Sequence, residues 1–338
     1  MKRCLILIFA LLFAVLLPLS ACKKAETPIE EKAESRGLTY LSAGNGTCSV
    51  TGIGVCTDTD VIVPATSPAG DRVTAVGREA FKDCNTLTGI VLPAGVESIG
   101  NRAFSGCSAL KTVRIPDSIT SLGLDVFEGC AALQYNGRGN AAYLGNAENP
   151  YLILFKAADP SITKCTVYEK TKIICASAFN GCQSLTAIVI PDSVVFIGNQ
   201  AFAGTGLVSV SIPASVSKID FGAFYECIHL TAVEIPSGIT EIGVATFSYC
   251  TALSQITIPQ GVQTIADRAF SNCIRLASVN LPKSVTSVGQ SAFADCAFLK
   301  DIHYAGTQAE WGAVTLGTEW DGNMDSCVVH CTDGDITK

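Results

Sequence analysis

Apolar residues recur along this chain with a spacing of about 23 residues. The clearest marker is phenylalanine, which occurs at Phe81, Phe104, Phe127, Phe179, Phe202, Phe224, Phe247, Phe270 and Phe293. Successive steps are 23, 23, 52, 23, 22, 23, 23 and 23 residues, and prolines that follow an apolar residue keep the same phase. Landmarks that hold one phase over nine copies predict a solenoid, in which each copy forms one coil.

Each copy contains a short strand whose inward and outward positions alternate. In the stretch LTAVEI, Val233 and Ile235 face one side of the strand and Glu234 faces the other. Stacked copies place the first pair in a core and the glutamate on an exposed parallel sheet. Pro236 then ends the strand, because it has no amide hydrogen to donate to the ladder.

The rest of each copy returns the chain to the next strand. Gly243 is predicted to permit a backbone turn that other residues resist. Phe247 closes the coil on the outer side, through a predicted short 3₁₀ or helical turn. A single coil cannot bury its own apolar face, so its neighbours must cover it.

The pattern LTxVxIPxxVxxIGxxAFxxC resembles the BspA-like, or treponemal-type, leucine-rich repeats of bacterial surface proteins. Copies such as LTAIVIPDSVVFIGNQAF fit it, and the resemblance covers about residues 48–304. It implies a leucine-rich-repeat solenoid of about nine coils, with a parallel β-sheet on the concave face and short 3₁₀ or helical turns on the convex face. Departures are local: Val126 and Thr246 replace the alanine before phenylalanine, and Thr205 stands where cysteine is expected.

The step of 52 residues contains an insertion over residues 134–161. Two apolar runs flank Gly145–Pro150, a pattern that predicts a β-hairpin. We expect this hairpin to protrude from the solenoid as a decoration and not to form a second domain. The repeat is predicted to resume at Cys165.

Open ends of a solenoid expose apolar edges and need caps. The repeats are predicted to span residues 65–304. Residues 38–64 contain alternating stretches that predict a β-rich entry cap, and residues 305–338 are predicted to form the exit cap.

The exit cap is predicted to contain a short helix and a last strand. Thr307 and Glu310 have the spacing of a capping box, which would open a helix that carries Trp311. Residues 326–330 have the apolar character of a strand.

Residues 1–21 have the features of a signal peptide. A positive start precedes an unbroken apolar run over residues 5–17, which is short for a membrane span. The sequence LSAC, which ends at Cys22, resembles the bacterial lipobox and implies cleavage before Cys22 and lipidation of its thiol. The alternative is a secretory signal followed by an incidental cysteine. Residues 22–37 are charged and lack apolar periodicity, so they are predicted to form a flexible tether.

These features predict a lipid-anchored protein of the bacterial cell envelope. Lys23 follows the cysteine in place of the aspartate that marks inner-membrane retention in some bacteria, which favours the outer membrane and surface exposure. No later segment is long and apolar enough to span a bilayer.

Composition excludes several other classes of protein. The chain is 48% hydrophobic and 16% charged, which supports a sizeable core. Removal of residues 1–21 leaves 21 basic and 30 acidic residues, a net charge of −9. An acidic chain without a basic stripe is not expected to bind nucleic acid.

Half of the sixteen cysteines occupy one repeat position. Eight copies carry one three residues after the phenylalanine, at Cys84, Cys107, Cys130, Cys182, Cys227, Cys250, Cys273 and Cys296. Equivalent positions of stacked coils lie about 4.8 Å apart with parallel Cα–Cβ bonds, which suits a disulfide poorly and gives zinc no convergent ligands. We predict a buried, reduced packing ladder. The cap cysteines, Cys48 with Cys56 and Cys327 with Cys331, are left open as possible disulfides.

No arrangement of residues predicts catalysis. The histidines are His229, His303 and His330, and none lies in a GxSxG or HExxH motif. The glycine-rich stretch that starts at Gly137 does not connect a predicted strand to a helix. Residues 321–325 resemble the start of a calcium loop, but the required glycine and bidentate glutamate are missing. We therefore predict a protein that is not an enzyme and that has no cofactor or bound metal.

The exposed sheet is the predicted functional surface. Its candidate binding residues, taken from the outward positions of successive strands, are Arg114, Lys164, Val189, Ser211, Glu234, Thr257, Asn280 and His303. These side chains are mixed and largely neutral, without an aromatic platform that would stack sugars or bases. A broad, shallow face suits a protein partner better than a small molecule. The alternative is a sheet that is merely solvated.

Two hypotheses of function fit these residues. The resemblance implies adhesion to host extracellular-matrix proteins or to other cells, through a membrane-anchored protein-binding solenoid. A structural envelope lipoprotein without a host ligand would have the same sequence features.

Overall fold

The computed structural model describes residues 33–322 and 327–337. Glu34–Lys338 form one compact unit. Its described backbone winds into about twelve turns, and the predicted solenoid is confirmed. Nine turns carry the repeat phenylalanine, and the others, at the start, in the middle and at the end, lack this landmark. Helix is confined to Gln308–Gly312 within the described residues.

One row of strands forms the predicted parallel sheet, here called the first ladder. Its strands are Asp60–Ile62, Gly89–Val91, Thr112–Arg114, Lys164–Thr166, Ala187–Val189, Ser209–Ser211, Ala232–Glu234, Gln255–Thr257, Ser278–Leu281, Asp301–Tyr304 and Val328–Cys331. Paired residues are one repeat apart, as Val113 and Ile90 illustrate. The central residue of each strand faces the core and its neighbours face outward, so the outward side is named the sheet face.

A second ladder of shorter strands closes each turn. Its strands are Thr47–Gly52, Arg72–Val76, Ser98–Ile99, Ser121–Leu122, Ile153–Ala157, Ile173–Ile174, Phe196–Ile197, Lys218–Ile219, Glu241–Ile242, Thr264–Ile265, Ser287–Val288 and Thr315–Leu316. In regular coils its last residue, for example Ile99, is buried. The two ladders therefore enclose one narrow apolar core.

The outer turn, defined as the five residues centred on each repeat phenylalanine, connects the second ladder back to the first. The amide of Ser105 donates to the carbonyl of Arg102 at 3.1 Å, as in a 3₁₀ turn. The amide of Phe104 instead donates to the carbonyl of Val126 in the next coil, at 2.9 Å. Because every second amide donates to the next coil and not within its own, the outer turn is not a continuous helix. These bonds form a third set of hydrogen bonds between coils, beside those of the two ladders.

Left-handed backbone makes this alternation possible. The first and last residues of each outer turn have positive φ, for example 55° at Arg102 and 78° at Gly106. Gly243, which was predicted to supply the turn, does not have a positive φ, and that prediction is wrong. At the equivalent Gly100, an added Cβ would lie 2.6 Å from the backbone nitrogen of Arg78. Glycine at this position therefore serves the close approach of neighbouring coils.

The repeat phenylalanines form two stacks of nearly parallel rings. One stack runs from Phe81 to Phe127 and the other from Phe179 to Phe293. Neighbouring centroids are 5.2–5.5 Å apart, a separation at which aromatic rings attract one another. The stacks fill the outer edge of the core, where each ring inside a stack is covered by the rings above and below it.

The insertion contains the predicted hairpin, formed by Ala141–Leu144 and Ile153–Ala157, with Asn136–Arg138 alongside. The expectation that it protrudes is wrong. Tyr143 is fully buried, and Ile153–Ala157 pair in parallel with the ladder strand Ile173–Ile174. Both apolar runs have inward faces that only the adjacent coils can cover, so the insertion becomes an irregular turn of the solenoid.

At the entry end, Thr39–Ser42 pair antiparallel with Thr47–Gly52, which is already the first strand of the second ladder. This hairpin covers an edge that would otherwise be open. Ser35, predicted to lie in the tether, is buried and donates its hydroxyl to the Asp58 carboxylate at 2.6 Å. Ordered contacts therefore start before Gly37.

The exit end has the predicted capping box. Thr307 accepts a hydrogen bond from the Glu310 amide, and the Glu310 carboxylate accepts one from the Thr307 amide. Trp311 is buried in the core. Val328–Cys331 form the last ladder strand, and Gly334–Thr337 pair antiparallel with it and close the edge.

Within residues 33–322 and 327–337, no helix is long and apolar enough to cross a membrane. The signal-peptide and lipidation predictions, including Cys22, lie outside the described residues. Asn323 and Asp325 of the calcium-like stretch lie outside them as well.

Candidate functional site

The eight predicted binding residues all lie on the sheet face with exposed side chains. Val189 is 60% exposed, which is unusual for a valine in a strand. The residue between two outward positions is buried, as at Val113 and Val210. Alternation along each strand therefore places these side chains as the sequence predicts.

Several of these residues contact one another across neighbouring strands. The Ser211 hydroxyl donates to the Glu234 carboxylate at 2.5 Å. The Asn280 amide donates to the Thr257 hydroxyl at 3.1 Å. Each pair is one repeat apart, so the ladder orients polar groups in rows along the solenoid axis.

The row is interrupted between Arg114 and Lys164. The strand that carries Arg114 is followed by a parallel bridge to Gly145 of the irregular turn, where glycine presents no side chain. Lys164 instead begins a ladder segment with Ala187. The sheet face is thus divided into an entry half and an exit half.

Two shallow clefts lie where strands of the sheet face end. One, of about 380 Å³, is lined by Arg114, Asp117 and the hairpin turn from Asn146 to Glu148. The Asn146 amide donates to the Asp117 carboxylate at 3.0 Å and holds this wall in place. The cleft offers one cationic and two anionic groups to a ligand.

The other cleft, of about 270 Å³, lies in the exit half. Its walls include Thr257, Asn280 and His303, which are three of the predicted binding residues. Tyr304 and Pro282 add an apolar rim. This cleft combines neutral hydrogen-bonding groups with an imidazole.

An acid–histidine cluster adjoins this cleft, and the sequence placed its central residue, His330, only in the exit cap. The ring of His330 stacks on that of His303, with centroids 4.9 Å apart. Its two nitrogens lie 3.0 Å from the Asp301 carboxylate and 2.9 Å from the Asp335 carboxylate. Hydrogen bonds to these two carboxylates raise the pKa of His330. The alternation VVH at 328–330, which matches DIH at 301–303, was the available signal.

The cysteine ladder is buried as predicted, except that Cys84 in the first repeat coil is half-buried. The Cys250 thiol donates to the carbonyl of Phe224 in the preceding coil at 3.2 Å. That carbonyl also accepts the amide of Cys227 at 3.3 Å. Six of the eight ladder thiols donate in this way to the carbonyl of a repeat phenylalanine in the preceding coil. These thiols therefore satisfy the second lone pair of a buried carbonyl in addition to packing in the core.

Thr205 shows how a hydroxyl replaces the thiol. It donates to the Phe202 carbonyl of its own coil at 2.9 Å and lies 3.3 Å from the Cys227 sulfur. Burial raises the pKa of Cys227 to about 11 and that of Cys296 to about 12. With pKa values raised this far, these two thiols are neutral at physiological pH, whereas the nucleophilic form of cysteine is the thiolate.

The cap cysteines Cys48, Cys56, Cys327 and Cys331 are free thiols in the structure, as are all the described cysteines. Residues 33–322 and 327–337 contain no group of three or more histidine, cysteine or acidic side chains arranged to hold a metal ion.

The chain has measurable similarity to known proteins. A family model described as the BspA type leucine rich repeat region matches in six copies, over residues 70–143 and 172–300. The unmatched residues between these ranges are most of the irregular turn. No curated protein matches the chain.

Three solved structures illustrate the similarity. A leucine-rich repeat protein from Bacteroides ovatus is 26% identical, with 87% of this chain and 77% of that chain covered and a TM-score of 0.44. One from Eubacterium ventriosum is 18% identical, with coverage of 89% and 98% and a TM-score of 0.50. A leucine rich cell surface protein from Faecalibacterium prausnitzii is 22% identical, with coverage of 84% and 98% and a TM-score of 0.33.

Proposed function

The chain belongs to the BspA-type leucine-rich-repeat family, and from this premise we propose that it is a non-enzymatic scaffold that binds proteins through its sheet face. Repeat proteins of this family suggest protein interaction as the general role. The observation that carries the proposal is the pair of clefts on the sheet face, which together contain four of the eight predicted residues. Their shallow form suits side chains of a protein ligand.

The electrostatic layout favours a partner with mixed charge. Arg114 in the entry cleft would pair with an acidic side chain of the partner, while Glu234 and Asp301 would pair with basic ones. Charged groups at the edge of an interface mainly set orientation and association rate. Apolar contacts at Val189, whose side chain is 60% exposed, would add burial between the two clefts.

We also propose that the mature protein is held at the cell envelope by lipid on Cys22, in the outer membrane, because Lys23 stands in place of the aspartate that marks inner-membrane retention in some bacteria. Adhesion to host extracellular-matrix proteins or to other cells belongs to this proposal through the family resemblance. Mass spectrometry of the mature amino terminus tests the anchor: a diacylglycerol on Cys22 is expected, and an unmodified cysteine would contradict it.

A binding experiment tests the scaffold. The compact unit from Glu34 onward, which includes the contacts of Ser35, is immobilised and used to capture extracellular-matrix or cell-surface proteins. Arg114→Glu and Glu234→Lys should weaken capture, because each reverses a charge on the sheet face. If both variants bind a verified partner as well as the unsubstituted protein does, the binding site does not lie on the sheet face.

Cell-surface exposure is tested separately by protease treatment of intact cells. Degradation of the solenoid is expected for a surface adhesin. A fully protected solenoid would favour the alternative, a structural envelope lipoprotein without a host ligand.

A further inference from the structure

The irregular turn leaves a row of backbone amides without acceptors on the outer side of the solenoid. In the coil of Phe104, the amides of Arg102, Phe104 and Gly106 donate to carbonyls of the next coil at 2.7–2.9 Å. The equivalent amides of the next coil belong to Asp125, Phe127 and Gly129, named here the open amide row. Within the part of the chain that the structure describes, none of these three amides donates a hydrogen bond.

The open amide row results from the path that the backbone takes through the insertion. The irregular turn has no phenylalanine-centred outer turn to supply carbonyls, because Ile153–Ala157 continue as a strand toward the following coil. The amide of Ala157 donates to the carbonyl of Ala178 there, at 2.8 Å. Phe155 fills part of the gap, where its ring contacts that of Phe127 edge-on at 5.9 Å.

A cavity of about 360 Å³ remains beside the row. Asp125, Phe127 and Glu128 line one wall, and Ser177 and Gln200 line the other. Phe155 contributes an apolar surface and is only partly buried. The lining contains two carboxylates and no lysine, arginine or histidine, although the guanidinium of Arg102 lies 3.8 Å from the Asp125 carboxylate.

We propose that this groove binds an extended, basic peptide segment of a partner protein. Amides of alternate residues point the same way, as along the edge of a sheet, and the carbonyls they bind in the regular coils also come from alternate residues. An extended peptide supplies carbonyls with that spacing, the mode of recognition known as strand addition. The Glu128 carboxylate selects lysine or arginine, and the Asp125 carboxylate adds to this preference by exchanging its exposed ion pair with Arg102. Phe155 accepts an apolar side chain.

This groove is separate from the sheet face, since it lies on the outer turns and shares no residue with the two clefts. Its failure and that of the proposed scaffold function are therefore distinguishable. Arg114→Glu and Glu234→Lys should leave binding at the open amide row unchanged.

Amide hydrogen exchange of the full chain in detergent micelles tests the premise. The open amide row should exchange at least about tenfold faster than the equivalent amides of the preceding coil, which are hydrogen-bonded. Equal protection of the two rows would overturn the proposal. Protection that rises with protein concentration would assign the groove to a second copy of the chain and would also overturn it.

The ligand probe is an end-blocked heptapeptide of alternating lysine and valine. It should slow exchange of the open amide row, whereas the glutamate–valine counterpart should not. The double variant Asp125→Asn, Glu128→Gln should raise the dissociation constant of the lysine–valine peptide about two- to fivefold and reduce the salt dependence of that constant. Glu79→Gln is the matched control, because Glu79 has the repeat position of Asp125 but its amide donates to Asn101. Absence of peptide protection, or an equal effect of the control, would refute the assignment.

Discussion

The phenylalanine stack makes a quantitative prediction about stability. Phe247 is fully buried, and its ring lies 5.5 Å from those of both Phe224 and Phe270. Replacement of a buried phenylalanine by alanine costs about 3–5 kcal/mol, from lost burial and from the cavity that remains. Because Phe247 has a ring on each side, each worth about 0.5–1.5 kcal/mol beyond burial, Phe247→Ala is expected in the upper part of that range.

The matched control is Phe298→Ala, since Phe298 is 61% exposed and outside the stack. The free energy of unfolding lost in Phe298→Ala should stay below about 1 kcal/mol, as is usual for surface substitutions. Both variants are measured by denaturant unfolding, followed by circular dichroism for the whole solenoid. Tryptophan fluorescence reports the exit end alone, because Trp311 and Trp320 both lie there.

The two signals separate local from global effects. If the coils unfold as one unit, both transitions move to lower denaturant together. If Phe247→Ala uncouples the coils on either side, the circular dichroism transition broadens or splits, as nearest-neighbour stability in repeat proteins allows. A loss below about 1 kcal/mol, or a loss equal to that of the control, would refute the stack as a main source of cohesion.

Three further predictions concern single positions and the thiols. Gly181→Ala should lower the free energy of unfolding, measured with denaturant, by about 1 kcal/mol, because φ at Gly181 is +73° and steric overlap is not the cause, since an added Cβ meets no atom within 4 Å. Gly181→Asn should lower it by less, since Asn272 occupies this position in another coil, and an equal loss for both variants would contradict the conformational explanation. The pKa of His330 is raised in the folded state, so its stabilising contribution is complete below the ordinary pKa of 6.5 and is lost as pH rises through the folded value. The difference in free energy of unfolding between the unsubstituted protein and His330→Gln should therefore shrink as pH rises from about 5 to 8, and a difference that does not change with pH would exclude this linkage. Thiol titration of unfolded, unreduced protein from Glu34 onward should find close to fourteen free thiols, while a count near zero would show that the ladder is oxidised.

The period of the sequence was sufficient for the solenoid, the buried cysteine ladder and the outward direction of all eight candidate residues. Each coil contacts only its neighbours, so a pattern that repeats in phase predicts equivalent positions along the whole solenoid. The exit helix was also predictable, because Thr307 and Glu310 satisfy each other's backbone within one turn. These features depend on local or periodic contacts.

Features that do not follow the repeat of about 23 residues could not be predicted from it. His330 follows a 27-residue step from His303, so its place beside that ring depends on the strand pairing of the exit end. The left-handed residues of the outer turns left a partial signal in Asp83, Gly106, Gly129 and Asn272. Their common cause, hydrogen bonds to the next coil, is a contact between segments one repeat apart.

The sequence by itself determined the coil, its two faces and the repeated core, because period and alternation decide which side chains can be covered by a neighbouring copy. Only the tertiary structure decided the course of the insertion. Its apolar runs fit either a protruding hairpin or a buried turn by local pattern, and burial of Tyr143 and Leu154 between coils selects the turn. The same choice removes one set of carbonyls from the outer side, and so leaves the open amide row beside a carboxylate-lined groove.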